Sequence, residues 1–212
     1  MKTKPNLLFE SQQQGIISGL DEAGCGPWAG PLVAAAVILP DILPGYFSEI
    51  NDSKKLTRSS REFLYEHILV DADVIWSVGI VSVSEIDTLL LRNALPLAFR
   101  RAVEGLMQAP THLLIDGIRD PKLPFTRTLI KQGDQKSLSI ATASIIAKVT
   151  RDRLMDRLHE EFPAYGWNQN AGYGTKQHQE ALAQFGVTEH HRKSYAPIKA
   201  YLENKIYLSV SS

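Results

Sequence analysis

Residues 19–40 read GLDEAGCGPWAGPLVAAAVILP, with two adjacent acids, Asp21 and Glu22, between one apolar run and the next. A buried strand has no ordinary use for neighbouring carboxylates, because each must be desolvated and then paired or neutralised. No lysine or arginine follows until Lys54. The glycines and prolines of residues 24–31 mark a strand that ends, a tight loop and a second strand. Something small or cationic is expected to meet that loop.

Outward from this stretch, β-like runs rich in β-branched and large apolar residues lie at 16–21, 32–40, 74–83, 111–117 and 127–133. Helical patterns separate them. One opens with Ser59 and Glu62 in capping-box spacing. A second, over 84–107, is interrupted at Pro96, which should kink it or begin a new helix. A third, over 138–162, is apolar at its start and amphipathic later, so a long helix half buried against a sheet is expected. A shorter helix near 176–185 follows a segment of glycine, asparagine and tyrosine. This order predicts an α/β protein, one mixed sheet with helices on its faces. The chain reads as a single domain over 1–212, with a core at 15–162 and a C-terminal helical extension at 163–212.

The 212 residues suffice for one sizeable core, and 44% hydrophobic with 22% charged residues is ordinary for a soluble globular protein. With 23 basic and 23 acidic side chains the formal charge is zero, so any case for nucleic acid rests on local clusters. These are Lys54, Lys55, Arg58 and Arg61; Lys148, Arg151 and Arg153; and Arg192 and Lys193 beside His190 and His191. Each taken alone reads as a solvated face. No apolar stretch reaches the ~20 residues of a membrane helix, and no signal-peptide core precedes residue 16. The single cysteine, Cys25, cannot form an internal disulfide or a cysteine-based zinc cage. A cytoplasmic location is expected.

Four acids share the ends of strands: Asp21 and Glu22 close the first, Asp116 closes LLID, and Asp134 follows the glycine after LIKQ. Strand ends are where loops open a crevice in such sheets. If these ends lie on one edge, the carboxylates converge, and like charges at that density require a cation. Oxygen ligands without cysteine or histidine suit Mg²⁺ or Mn²⁺. Taken singly, Asp116 or Asp134 would read as a turn or helix cap. Because successive strand residues face opposite ways, Asp21 and Glu22 can share an ion only if the backbone turns at once, at Gly24 and Gly26, or if Glu22 offers its main-chain carbonyl.

The blocks GLDEAG-x-GP-x-AGP-x-VAAAVIL, DSKKLT, LLIDG, KQGDQKS, ASIIAKVTRDRLM, GYGT and HHRKSYAPI, in order from about residue 16 to 200, resemble the bacterial ribonuclease HII family. The resemblance implies a ribonuclease H-like fold with a five-stranded mixed sheet. It implies hydrolysis of the RNA strand of RNA–DNA hybrids and incision 5′ of single ribonucleotides in duplex DNA, by two ions (Mg²⁺ or Mn²⁺), leaving 3′-hydroxyl and 5′-phosphate ends. By the same resemblance Asp21, Glu22, Asp116 and Asp134 are the metal ligands, and Gly24, Cys25 and Gly26 contact the 2′-hydroxyl through their backbone. Tyr173 stacks on the next deoxyribose, Lys54, Lys55, Arg192 and Lys193 hold phosphates, and Ser144 and Lys148 line the substrate side of a helix. Asp152, between two arginines within a helix, is read as a surface or ion-paired residue.

Two departures stand out. The family has arginine where this chain has Cys25, and His-Lys where this chain has Asn170-Ala171, so a lower rate is expected. The alternatives are another nuclease of the same superfold and a hybrid-binding protein weakened by Cys25. GTK at 174–176 lacks the order of a P-loop, and a zinc site from His178, His190 and His191 has no standard spacing. A contact between the tail beyond about residue 200 and a sliding clamp is left open, and the chain is taken as a monomer.

Overall fold

The computed structural model describes residues 4–210, with side chains as far as 203. Side chains of the tail considered for a clamp contact therefore lie, from 204 on, outside the described residues. The five apolar runs form β1 (Ile17–Ala23), β2 (Leu32–Ile38), β3 (Ile75–Val81), β4 (His112–Asp116) and β5 (Thr126–Ile130), in the spatial order β3-β2-β1-β4-β5. β1 is antiparallel to β2, with Asp21 opposite Ala35, and parallel to β4, with Leu20 beside Ile115. β4 is parallel to β5, with Asp116 beside Ile130. The mixed sheet expected from the sequence is present, and β1, β4 and β5 all point toward the edge that carries the acids. All seven residues of β2 are buried, which is why that segment is apolar without alternation.

The helices are α1 (Leu8–Ser11), α2 (Arg58–Val70), α3 (Val83–Leu89), α4 (Leu91–Glu104), α5 (Leu138–Glu161), α6 (Trp167–Asn170), α7 (Lys176–Phe185) and α8 (Ala196–Val210). Two boundaries correct the sequence reading. α2 is capped by Thr57, whose side chain accepts the Ser60 amide at 3.1 Å, so Ser59 lies inside the helix and is not its cap. Thr57 has the extended backbone a cap needs. The break expected at Pro96 falls instead at Leu90, whose φ of 60° ends α3. Pro96 is accommodated inside α4. A reciprocal capping box does form, at Ser82 and Glu85 of α3.

The chain folds into two compact units. The first comprises residues up to Ala23, Val33–Ile80 and Leu95–Thr150; the second comprises Gly24–Leu32, Val81–Ala94 and the chain from Arg151 on. In the first, Ala35 and Val37 of β2, Leu64, Tyr65 and Ile68 of α2, and Ala141, Ile145 and Val149 of α5 share one core. The start of α5 lies directly on β1: a Cβ at Gly19 would come 2.3 Å from the carbonyl carbon of Ser139. Only glycine permits that approach. In the second unit Ala29, Met155, Tyr165, Trp167, Ala181, Leu182 and Ile198 form a separate core, with the Tyr165 and Trp167 rings stacked at 4.9 Å.

Candidate active site

Within the first unit Asp21, Asp116 and Asp134 come together at the C-terminal ends of β1 and β4 and just beyond β5. Asp21 and Asp134 are buried, at 5% and 3% exposure. Burial pushes the Asp21 carboxyl well above the ordinary carboxylate range, and the charges of Glu22, Asp116 and Asp134 push it the same way. Asp134 is also raised, by burial and by Asp116 and Asp52, against the opposing pull of Lys54. Backbone amides position the group: Glu22 N–H donates to Asp21 Oδ1 at 2.7 Å and Gly133 N–H donates to Asp116 Oδ1 at 2.6 Å. The second bond follows from Gln132, whose left-handed backbone (φ 57°) reverses the chain after β5 and starts the short 3-10 turn carrying Asp134.

Glu22 stands differently. β1 remains paired through Ala23, opposite Val33, so the turn at Gly24 comes too late to swing Glu22 onto the face of Asp21. The immediate turn considered from the sequence is corrected on this point. Among the described residues no three His, Cys, Asp or Glu side chains are arranged to hold one ion as they stand. The residues nevertheless fit a divalent cation by chemistry. Their donors are carboxylate oxygens, and buried like charges disfavour ionisation unless a positive charge joins them. The Lys54 ammonium, on a side chain 77% exposed, lies 3.4 Å from Asp134 Oδ2. Burial opposes its charge, but Asp134, Asp21 and Asp52 outweigh that and hold it above its usual value. Lys55 lies 3.8 Å from Asp52.

Asp52 was not singled out from the sequence. It is buried, its side chain accepts the Lys54 amide at 2.9 Å, and it sets the turn that presents both lysines. Its signal was the Asp-Ser-Lys-Lys order, which reads as a cap.

The loop between β1 and β2 belongs to the second unit, where two buried arginines hold it. Arg151 donates to the carbonyls of Pro31 (3.0 Å), Ala29 (3.1 Å) and Ala171 (2.9 Å). Arg192 donates to Gly30 (2.9 Å) and Pro31 (3.1 Å), and Nη1 to Tyr195 Oη (2.8 Å). This corrects two readings. Arg151 is no solvated cation, and Arg192, 0% exposed, has its fork engaged by backbone carbonyls and is closed to a phosphate. Burial, then Arg192, lowers the Arg151 guanidinium to about 10. Gly24 (φ 106°) packs on this brace: a Cβ there would come 2.2 Å from Arg151 Nε.

Other expected residues divide in the same way. Ser144 is buried and donates to Ala141 O at 2.8 Å within α5, so it offers nothing to a substrate, contrary to expectation. Lys148 is half-buried and Lys193 exposed; the Lys193 amide donates to Asp87 Oδ2 at 3.0 Å. Tyr173 is 52% exposed, and a Cβ at Gly26 would lie 3.2 Å from its ring. Asn170 braces its own loop, its Oδ1 accepting from Gly172 N (2.8 Å) and its Nδ2 donating to Tyr165 O (2.7 Å).

His178 and His191 form a buried pair, Nε2 to Nε2 at 3.0 Å. Thr188 N–H donates to His191 Nδ1, which assigns the proton to His191 Nε2 and makes His178 Nδ1 the donor to Tyr173 O at 2.9 Å. Both rings are thereby neutral and fully engaged, which leaves no lone pair for zinc.

A five-stranded mixed sheet with acids gathered at parallel strand ends defines the ribonuclease H-like class. The family model for ribonuclease HII matches residues 18–198. Ribonuclease HII of Bacillus cytotoxicus is 50% identical over 92% of this chain and 74% of its own length. The ribonuclease H2 of Pyrococcus horikoshii superposes with a TM-score of 0.76 at 27% identity, covering 90% of this chain and 98% of that one. The RNase HII in a PCNA complex from Archaeoglobus fulgidus gives 0.70 at 26%, covering 85% and 95%. The chain belongs to the ribonuclease HII family and is a metal-dependent ribonuclease of the H type.

Proposed function

We propose that the protein incises duplex DNA on the 5′ side of an embedded ribonucleotide and cleaves the RNA strand of RNA–DNA hybrids, in the cytoplasm, with two Mg²⁺ or Mn²⁺ ions. The observation that carries this is the mutually repelling set of buried Asp21 and Asp134 with half-buried Asp116, to which Glu22 adds a fourth carboxylate or its main-chain carbonyl. When bound, the cations would supply Lewis acidity for an attacking water and for the leaving 3′ oxygen.

The protein's own residues set the rest. Asp116, aligned by the Gly133 amide, and Asp134, in contact with Lys54, keep the negative charge in one place, so a scissile phosphate enters only with its cations. Lys54 then exchanges Asp134 for the phosphate backbone, with Lys55 and Lys193 adding sequence-independent, salt-sensitive contacts. Two residues beyond Glu22, the backbone of Gly24, Cys25 and Gly26 reads the 2′-hydroxyl, and the exposed Tyr173 ring stacks on the neighbouring deoxyribose. Cys25 replaces a side chain of the family without altering this backbone reading. A clamp partner, as in the archaeal relative, would add processivity through the C-terminal tail.

The test is a labelled duplex with one ribonucleotide, incubated with Mg²⁺ or Mn²⁺. A single cut on its 5′ side, leaving 3′-hydroxyl and 5′-phosphate ends, is expected. An intact duplex, or equal cutting of all-DNA duplex, refutes the proposal.

A further inference from the structure

In the β1–β2 loop the backbone carbonyl of Cys25 is a point of convergence. Tyr195 Oη donates to it at 2.6 Å, and Arg192 Nη1, which also donates to Tyr195 Oη at 2.8 Å, reaches it at 3.5 Å. Arg192 cannot rotate away, because its Nε and Nη2 are fixed on Gly30 and Pro31. No peptide bond in the described chain is cis. In a trans peptide the C=O and the following N–H point in opposite directions, so a carbonyl drawn toward Tyr195 sends the Gly26 amide the other way. Gly26 is exposed, and its amide has no hydrogen-bond partner among the described residues. The exposed ring of Tyr173 borders the same residue.

We infer that Tyr195 and Arg192 are positioning residues for sugar discrimination: by fixing the Cys25 carbonyl they present the Gly26 amide outward as a preset donor to a ribose hydroxyl. The inference rests on the ribonuclease reading above and names the residues that set its selectivity. Tyr195 is the decisive member, because its hydroxyl bridges Arg192 and the carbonyl, and Tyr195→Phe removes that bridge while keeping the ring that the Arg192 guanidinium overlies at 5.1 Å. A deoxyribose offers this donor no acceptor and leaves it facing water. A ribose gains one hydrogen bond from an amide that needs no reordering.

The experiment compares the full chain with Tyr195→Phe. KM and kcat are measured for incision of a one-ribonucleotide duplex, with an all-DNA duplex of the same sequence as competitor, and thermal unfolding is recorded. The ratio of the all-DNA inhibition constant to KM is expected to fall about three- to tenfold, the size of one hydrogen bond. The change is expected in KM with kcat nearly held, and the all-DNA inhibition constant is expected to stay as it was. Arg192→Lys, which keeps the charge and loses the fork, is expected to move the ratio in the same direction. If it does not fold, Tyr195→Phe alone decides. A ratio unchanged in a folded Tyr195→Phe protein, or a loss confined to kcat or to melting temperature, overturns the inference while leaving the ribonuclease reading intact. A wild-type chain that neither cuts nor prefers the ribonucleotide duplex removes that reading and the inference together.

Discussion

The carboxylates of the first unit and the guanidiniums of the second are both buried groups of like charge, yet their polar atoms meet different company. Arg151 and Arg192 each donate to several backbone carbonyls, and among the described residues neither has a carboxylate in ion-pair contact. Their hydrogen bonds are made within the protein. Asp21 and Asp134 have one amide and one exposed lysine between them, and both are pushed toward the protonated form. A buried charge that is satisfied internally is structure, and one left unsatisfied waits for a ligand. The arginines therefore belong to a finished brace and the acids to a site completed by something cationic.

The sharpest way to break this contrast is Asp21→Asn. Cleavage is expected to fall about a thousandfold or more, since several kcal/mol of transition-state charge stabilisation are lost. The metal-free protein should at the same time melt higher, by roughly 2–4 °C for each kcal/mol of repulsion removed. A lower melting temperature with cleavage retained would make Asp21 a structural acid. On the other side, Arg151→Met strands the carbonyls of Ala29, Pro31 and Ala171 and should cost about 3 kcal/mol or more in urea unfolding. A loss under ~1 kcal/mol would show that the brace is dispensable.

Acid pH should separate the two units in sign. Asp21 and Asp134 have folded values above the ordinary 3.8, so their ionisation costs stability at neutral pH. That cost disappears as pH falls through the raised values toward 3.8. His191 is lowered from 6.5 to about 3, chiefly by burial and then by His178. It is neutral when folded, so stability is lost as pH falls below 6.5 and continues to fall to about 3, by up to about 1.4 kcal/mol per pH unit. Unfolding of wild type against His191→Gln across this range should show a steeper loss of stability toward acid in wild type. Adding Mn²⁺ or Mg²⁺ at pH 7 should raise the melting temperature by an amount that shrinks as the carboxylates protonate; a shift indifferent to pH would place the ion elsewhere.

The smallest expected effect concerns a helix end. Thr57→Ala should cost about 1 kcal/mol, whereas Ser59→Ala should stay within about 0.5 kcal/mol. The reverse order would restore the capping box read from the sequence.

What the sequence determined by itself is considerable. The five apolar runs fell where β1–β5 form, because β-branched runs edged by turn residues have few other solutions. The long helix and the one at 176–185 were equally legible from periodicity. The four acids could be singled out because carboxylates at the feet of apolar strands have no ordinary structural use. The tertiary structure alone decided which basic residues are surface and which are braces. Arg192 and Lys193 are neighbours in sequence, and one is fully buried while the other is exposed. Charge reads the same in a sequence whether its partner is water, a phosphate or a carbonyl more than a hundred residues away. Ser144 and Asp52 mark a nearer limit: their partners, Ala141 O and the Lys54 amide, lie within three residues, yet only the formed helix and turn bring them within 3 Å. Local pattern specifies the elements; the long-range contacts that satisfy each donor and acceptor exist only once those elements have packed.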